Sequence, residues 1–442
     1  MRSAFWGLCI VGLFVACSEK EETADLHLSD TEFTWDATVR QQTLTVATPT
    51  RWTIKSNVNW CAPWKSSGEK GAEVQLWVSP NLTSQSRSGT LTVSSGGSVK
   101  LVKVSQPAYT GNVDDYEYVL PVVFHVLYKD EADEKQNVRK GWLAELLAKV
   151  NNLYKSNGIG VTFEMATCNQ EGEELEELGI MRHKVSFDSL DPNVFLSGSA
   201  EAMEYADYEQ HLRRFINVYL FRFGSDAADD ISQLGVSDMP LTTTAHPLDS
   251  LTAVPTIENY THMSYSWGVC INSDYIYELS ERGRYNPSDV SVTLAHELGH
   301  YLGLLHSFSL VECLYDDACS DTPVCDYTAY HESISQLLED YRQRYGSGLT
   351  LTLDELARRE DCNEAGRTYI ADNIMDYAYC YSNTLTPQQR FRIRHVLNYC
   401  PLVPGPKLVD YGVGSSTRSV SSVQPVLSGC PSVPLTPVSV VP

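Results

Sequence analysis

The predicted fold class is multidomain, a small β-sandwich followed by a larger α/β (α+β) domain, and three observations predict it. The chain has 442 residues, too many for one ordinary hydrophobic core. From about Asp25 to Pro107, short runs alternate apolar and polar residues: 43–46, 73–78, 89–93 and 100–105. Turn-rich pieces such as 65–68 and 94–97 separate them, and no helical period intervenes, which is the pattern of sandwich strands. Beyond that region, 118–126 is an apolar run suited to a buried strand, and 142–154 spaces Leu143, Leu146, Leu147, Val150 and Leu153 at helical intervals. Strand-like stretches recur at 159–164 and 215–220, so strands and helices alternate as in an α/β layer. His125, inside the opening apolar run, reads as a core histidine rather than a ligand.

The boundaries that follow are 1–16 as a signal peptide, 17–26 as an acidic tether, 27–108 as the sandwich, 109–117 as a linker, 118–402 as the α/β domain and 403–442 as a Ser/Pro/Val-rich extended tail with partial order allowed near Cys430. Arg2 precedes an uncharged run from Ala4 to Ala16, shorter than the roughly 20 residues needed to span a bilayer but suited to a signal-peptide core. The stretch Phe14-Val15-Ala16-Cys17 resembles a bacterial lipobox, which implies lipidation at Cys17 and membrane attachment by the lipid anchor alone. An ordinary signal peptide cut elsewhere would leave Cys17 incidental. The next residues, 18–22, resemble the acidic export tag of surface lipoproteins, implying a bacterial outer-membrane lipoprotein at the cell surface.

A formal charge of −23 argues against nucleic acid and against broad adhesion to anionic membranes, both of which need clustered Lys and Arg. The glutamates of 171–177 read as a solvated face rather than a cation site. Of twelve cysteines, setting aside Cys9 and Cys17 leaves ten, an even number that permits disulfides in an exported protein. Their crowding between 313 and 400 suggests staples in that half of the chain.

The most informative segment is 296–306, His-Glu-Leu-Gly-His-Tyr-Leu-Gly-Leu-Leu-His. A helix is expected to begin just upstream, with Asn286 as N-cap, Pro287 at the first helical position and Asp289 in the first turn. On that helix His296 and His300, four apart, project from one face, while Leu294, Leu298 and Leu302 form an anchoring apolar stripe. Gly303 permits a left-handed exit, and His306 can swing back as a third ligand. Three neutral ligands leave a fourth position for water and the full charge on a zinc ion, so that water becomes acidic near neutral pH. Glu297 lies beside the histidine face, close enough to reach such a water without ligating the metal.

Asn373-Ile374-Met375-Asp376-Tyr377 adds a second signature, and with the extended histidine motif the chain resembles the metzincins. The resemblance implies that Met375 forms a soft floor beneath the ligands and that Tyr377 helps stabilise the developing oxyanion. It narrows to the pappalysin type on 123–126, the zinc motif with Ser307 and Phe308, Asp321-Thr322-Pro323, the methionine turn, Cys380 and Leu385-Thr386-Pro387-Gln388-Gln389, spanning about 118–401. The first domain resembles the BACON module, an immunoglobulin-like β-sandwich, on Trp52, Trp60, Asn81, Arg87, Gly89 and the closing Val104-Ser105-Gln106. Together with the lipobox, the sequence is similar to Bacteroides zinc-dependent metalloproteinase lipoproteins. Suspected carbohydrate binding by that module makes Trp52, Trp60, Trp64 and Trp77 candidates for stacking on a glycan, with core packing and a spacer role as the favoured reading.

One departure from the pappalysin pattern is a long insert after Asp321-Thr322-Pro323 with helix-like stretches at 334–345 and 353–359, expected to border the primed side of the cleft. Five cysteines (Cys313, Cys319, Cys325, Cys362 and Cys380) cluster where the family has two bridges, so the pairing stays open. Some relatives bind calcium near this loop, and Asp316, Asp317 and Asp321 could serve. The function implied is a zinc-dependent endopeptidase with a protein or peptide substrate, in which Glu297 moves the proton. The rivals are a surface adhesin with a glycan-binding sandwich and an inactive metzincin scaffold, and a zinc hydrolase acting on a non-peptide substrate.

Overall fold

A computed structural model of the chain describes residues 25–197, 202–224, 233–255, 265–282, 284–345, 350–377, 379–411, 427–431 and 439–441. The expected signal peptide, the lipidation site Cys17 and most of the acidic tether lie outside these residues.

The N-terminal region forms two sheets around one core. One has four strands in the order His27–Leu28, Gln41–Ala47, Ala72–Val78 and Cys61–Pro63. The other has five, ordered Glu32–Thr34, Ser98–Gln106, Arg87–Ser95, Trp52–Ser56 and Ser67–Gly68. Alternation along each strand turns Leu44, Val46, Leu76, Leu91, Val93, Val102 and Val104 inward, where they pack with Trp52 and Trp60. Residues that carry the BACON resemblance brace this interior. Arg87 stacks over Trp60 at 4.5 Å and donates to Gln106 Oε1, and Asn81 donates to the carbonyls of Gln85 and Pro107.

The second region is built on a seven-stranded sheet. Val161–Met165, Tyr118–Tyr128, Ile216–Phe221 and Val269–Asn272 run parallel, with Ile180–Lys184 also alongside Tyr118–Tyr128. The sheet then reverses, as Gln233–Asp238 pairs antiparallel with Val269–Asn272. Helix α1 (Trp142–Ser156) lays Leu143, Leu146, Leu147 and Val150 into the core that it shares with the later helix carrying the histidine motif. His125 is fully buried, bonded to Asn217 Oδ1 at 3.0 Å and His183 Nε2 at 3.1 Å, and is a core histidine. A short α2 (Pro192–Phe195) follows.

In the segment 403–442, Leu427–Pro431, around Cys430, adds antiparallel to Gln233–Asp238, and Ser439–Val441 adds parallel to Thr350–Thr352. The proline spacing that argues against a helix leaves short extended pieces free to fill sheet edges. The stretch 353–359 is helical for one turn only, because Arg358–Glu360 pairs with Thr368–Ile370 instead. Residues 109–117 are tied to the second region, where Arg390 donates to Asp114 O (2.9 Å) and Arg394 to Tyr116 O (2.6 Å).

The two regions also pack directly. Arg214 lies 4.5 Å from the Trp64 ring and 5.2 Å from that of Trp77, and Asn59 donates to Asp410 at 2.7 Å. Trp52 and Trp60 are 1 % and 2 % exposed. None of the four tryptophans considered for a sugar platform is therefore openly displayed: two fill the core, and two face arginine across the domain junction.

Candidate metal centre

The histidine motif sits on α3 (Val290–Tyr301). Its N-cap is Asp289, not Asn286: the Asp289 carboxylate accepts from Ser291 N at 2.9 Å. Asn286 spends its side chain on a preceding turn, accepting from Ser288 N, so the helix starts one turn later. Leu294, Leu298 and Leu302 are wholly buried and fix the rotation of the helix. Gly303 then adopts φ +92°, a left-handed exit that lets the chain double back to His306.

The structure brings the three histidines together. His300 Nε2 lies 3.0 Å from both His296 Nε2 and His306 Nε2, and among the described residues this is the one cluster of three or more possible metal donors. The other ring nitrogens set the tautomers. His296 Nδ1 donates to Ile374 O and His300 Nδ1 to Leu304 O, each at 2.8 Å, since a carbonyl can only accept. Two Nε2 lone pairs thus face each other across 3.0 Å, a repulsive arrangement that a cation between them relieves. Tetrahedral zinc with bonds of about 2.0–2.1 Å would hold such nitrogens roughly 3.3–3.4 Å apart, so the donor set fits. Burial pushes the His296 imidazole down to about 4 despite its bond to Ile374 O, and burial with neighbouring histidines takes His300 and His306 well below their usual range. All three are neutral ligands in waiting.

Met375 and Tyr377 come from the turn below. A Cβ at Gly299 would meet Met375 Sδ at 2.5 Å, so the methionine packs flush against the ligand helix only because residue 299 is glycine. Met375 O accepts from Ser307 N, tying the turn to the segment after His306. The turn is in turn held by Asn373, which accepts from Met375 N and exchanges bonds with Gln389, itself the third residue of a Thr386 capping box on α6 (Pro387–Tyr399). The Tyr377 ring sits 4.7 Å from His306 and 5.9 Å from His296. Clefts open on both sides of the triad. One of about 600 Å³ is lined by His296, Tyr377, Tyr285 and Leu353, and one of about 420 Å³ by His306, Phe308, Met239 and Leu310.

Two contributors escaped the sequence reading. Gly235 lies so close to Glu297 that a Cβ there would be 2.6 Å from Glu297 Cγ, which lets the Gln233–Asp238 strand pass directly against the carboxylate. Arg359, from the insert, is fully buried 3.6 Å from Asp376 and stacks on Tyr330, pinning the turn beside Tyr377. Burial pushes the Asp376 carboxyl up, and Arg359 pulls it back. A glycine in a β-run and an arginine in an insert carry no local signal of these roles.

The rest of the insert, α4 (Tyr327–Tyr345) and α5 (Leu353–Leu356), reaches the cleft through Leu353. It is stapled by Cys313–Cys362, while Cys319, Cys325 and Cys380 are unbonded. The acidic trio does not form a calcium set. Asp316 accepts from Ala318 N, Asp317 from Cys319 N and Thr322 Oγ1, and Asp321 from Gln388 N, and among the described residues their carboxylates do not converge on one point.

Comparison with known proteins adds two family matches and a few distant likenesses. A xyloglucan-specific endo-beta-1,4-glucanase of Bacteroides ovatus is 27 % identical over 124 residues, 27 % of this chain and 24 % of that one, so the chain spans about a quarter of that relative's length. Among solved structures, a Bacteroides ovatus GH5 xyloglucanase with a bound XXXG heptasaccharide shares 14 % identity over 48 % of this chain and 58 % of its own, with a TM-score of 0.19. A Bacteroides thetaiotaomicron protein solved by NMR shares 18 % over 21 % of this chain and 97 % of its own, with a TM-score of 0.17. Residues 259–398, which include the triad, Met375 and Tyr377, match the Peptidase M43 family model, described as pregnancy-associated plasma protein-A, and residues 50–107 match the BACON model of N-terminal domains. The chain thus combines a BACON domain with a pappalysin-type metallopeptidase domain.

Proposed function

We propose that the chain is a zinc-dependent endopeptidase of the metzincin type that cleaves extracellular proteins, displayed at a bacterial outer surface through lipid on Cys17. The observation that carries the reading is the convergence of three histidine Nε2 atoms, from buried His296 and His300 and half-buried His306, next to Glu297. Zinc held by His296, His300 and His306 would supply Lewis acidity, polarising a peptide carbonyl and acidifying water. Glu297, wholly buried beside the triad, takes a proton from the attacking water and returns it to the leaving amine. Tyr377, edge-on to His306, donates to the oxyanion as it forms. Ile374 O and Leu304 O hold two imidazoles in the tautomer that aims Nε2 inward.

The test is Glu297→Ala. Zinc content, measured by elemental analysis, should match the parent, while chelator-sensitive hydrolysis of a peptide library should fall roughly 10²–10⁴-fold. Full hydrolysis in that variant sinks the assignment. A second reading, a glycan-binding adhesin, is favoured only by the likeness to a xyloglucan-specific enzyme. It meets the objection that the sandwich tryptophans are already engaged.

A further inference from the structure

The strand Gln233–Asp238 is the next-to-outermost of the sheet, with Gly235 pressed against the Glu297 carboxylate. Left as an edge, it would present a row of main-chain N–H and C=O groups beside the general base, the kind of edge to which an extended peptide adds as a further strand. In the structure the place is taken. Leu427–Pro431 pairs antiparallel with it, setting Leu427 opposite Asp238, Ser428 opposite Ser237, Gly429 opposite Val236 and Cys430 opposite Gly235. A second anchor follows, where Ser439–Val441 pairs with Thr350–Thr352, immediately before the Leu353 that lines the 600 Å³ cleft with His296 and Tyr377.

We propose that Leu427–Pro431 is an intramolecular occupant of the peptide-docking edge, restraining the enzyme until a substrate or a processing event displaces it. What the restraint does rests on the peptidase reading above, whereas the competition for the edge stands without hydrolysis. The composition of the segment suits a removable strand. Gly429 and Ser428 have weak β preference, and Pro431 offers no N–H and ends the ladder. Such a strand binds weakly on its own, and tethering raises its effective concentration to the millimolar range.

The experiment keeps the whole chain and compares it with Ser428→Pro/Gly429→Pro, which removes whichever of these two consecutive N–H groups faces Gln233–Asp238 and leaves the catalytic residues untouched. Hydrogen exchange at residues 233–238 should quicken in the variant. A fluorescent peptide with the sequence of residues 425–433 should bind it at least about tenfold tighter than the parent, and peptide hydrolysis should rise by a similar factor. Unchanged exchange with equal peptide affinity overturns the proposal. So does released exchange with equal peptide affinity. Tighter peptide binding without hydrolysis in either protein upholds the competition and overturns the peptidase reading, so the two failures separate.

Discussion

In the N-terminal sheets the interior is Trp52, Trp60, Ile54, Leu76 and their aliphatic neighbours, whereas the interior around α3 holds His296, Glu297 and His300 at 1 % exposure or less. The first core is stabilised by removing apolar surface from water and asks little of direction. The second places polar groups where solvent cannot reach, so each needs a partner aimed at it: Ile374 O, Leu304 O, or a metal ion. The difference teaches where mutational cost should fall. In the sandwich it should appear as stability alone, and around α3 as chemistry and pH dependence.

The largest expected effect breaks the sandwich. Trp52→Ala should remove about 3–5 kcal/mol from that region, seen as an early transition in thermal unfolding, with the hydrolytic rate constant unchanged at temperatures below it. Loss of rate in the folded variant would mean the regions are not energetically separate. Tyr377→Phe sharpens the contrast from the other side. It should leave the unfolding transition in place yet lower kcat by about 10²–10³, the usual effect of deleting one oxyanion donor. An unchanged kcat would remove Tyr377 from the mechanism.

The smallest effect concerns the stacked pair of buried His125 and half-buried His183 in the second region. Burial, helped for His125 by His183, pushes His125 down to about 3 and His183 to about 4. The unfolded chain, with histidines near 6.5, therefore binds more protons than the folded one between that pH and the folded values, so stability falls as pH drops through this window. From pH 7 to 5 the loss is about 2 kcal/mol per histidine, measurable by denaturant titration, and a His183→Asn variant should show roughly half the pair's contribution. The sandwich core holds no comparable buried histidine among the described residues, so its transition should move little over the same range.

Legibility followed the range of the interactions. The α1 helix, the long sandwich strands and the parallel strands at Tyr118–Tyr128 and Ile216–Phe221 were readable because periodicity is local. The helix cap was misplaced by one turn, since Asn286 and Asp289 are equally good caps and only the turn between them decides which is used. The calcium expectation finds no support in the arrangement of the three aspartates, which look alike in sequence whether they face a cation or backbone amides.

By itself the sequence determined the histidine spacing, the glycine that ends the helix and the acid between the ligands, because a helical repeat of 3.6 residues turns that spacing into one face. Only the tertiary structure decided that Ile374 O orients His296, that Arg359 pins Asp376, that Arg214 covers Trp64 and Trp77, and that Leu427–Pro431 lies along Gln233–Asp238. Each of these joins residues distant along the chain, and such pairings depend on how whole elements pack rather than on any pattern a short window can hold.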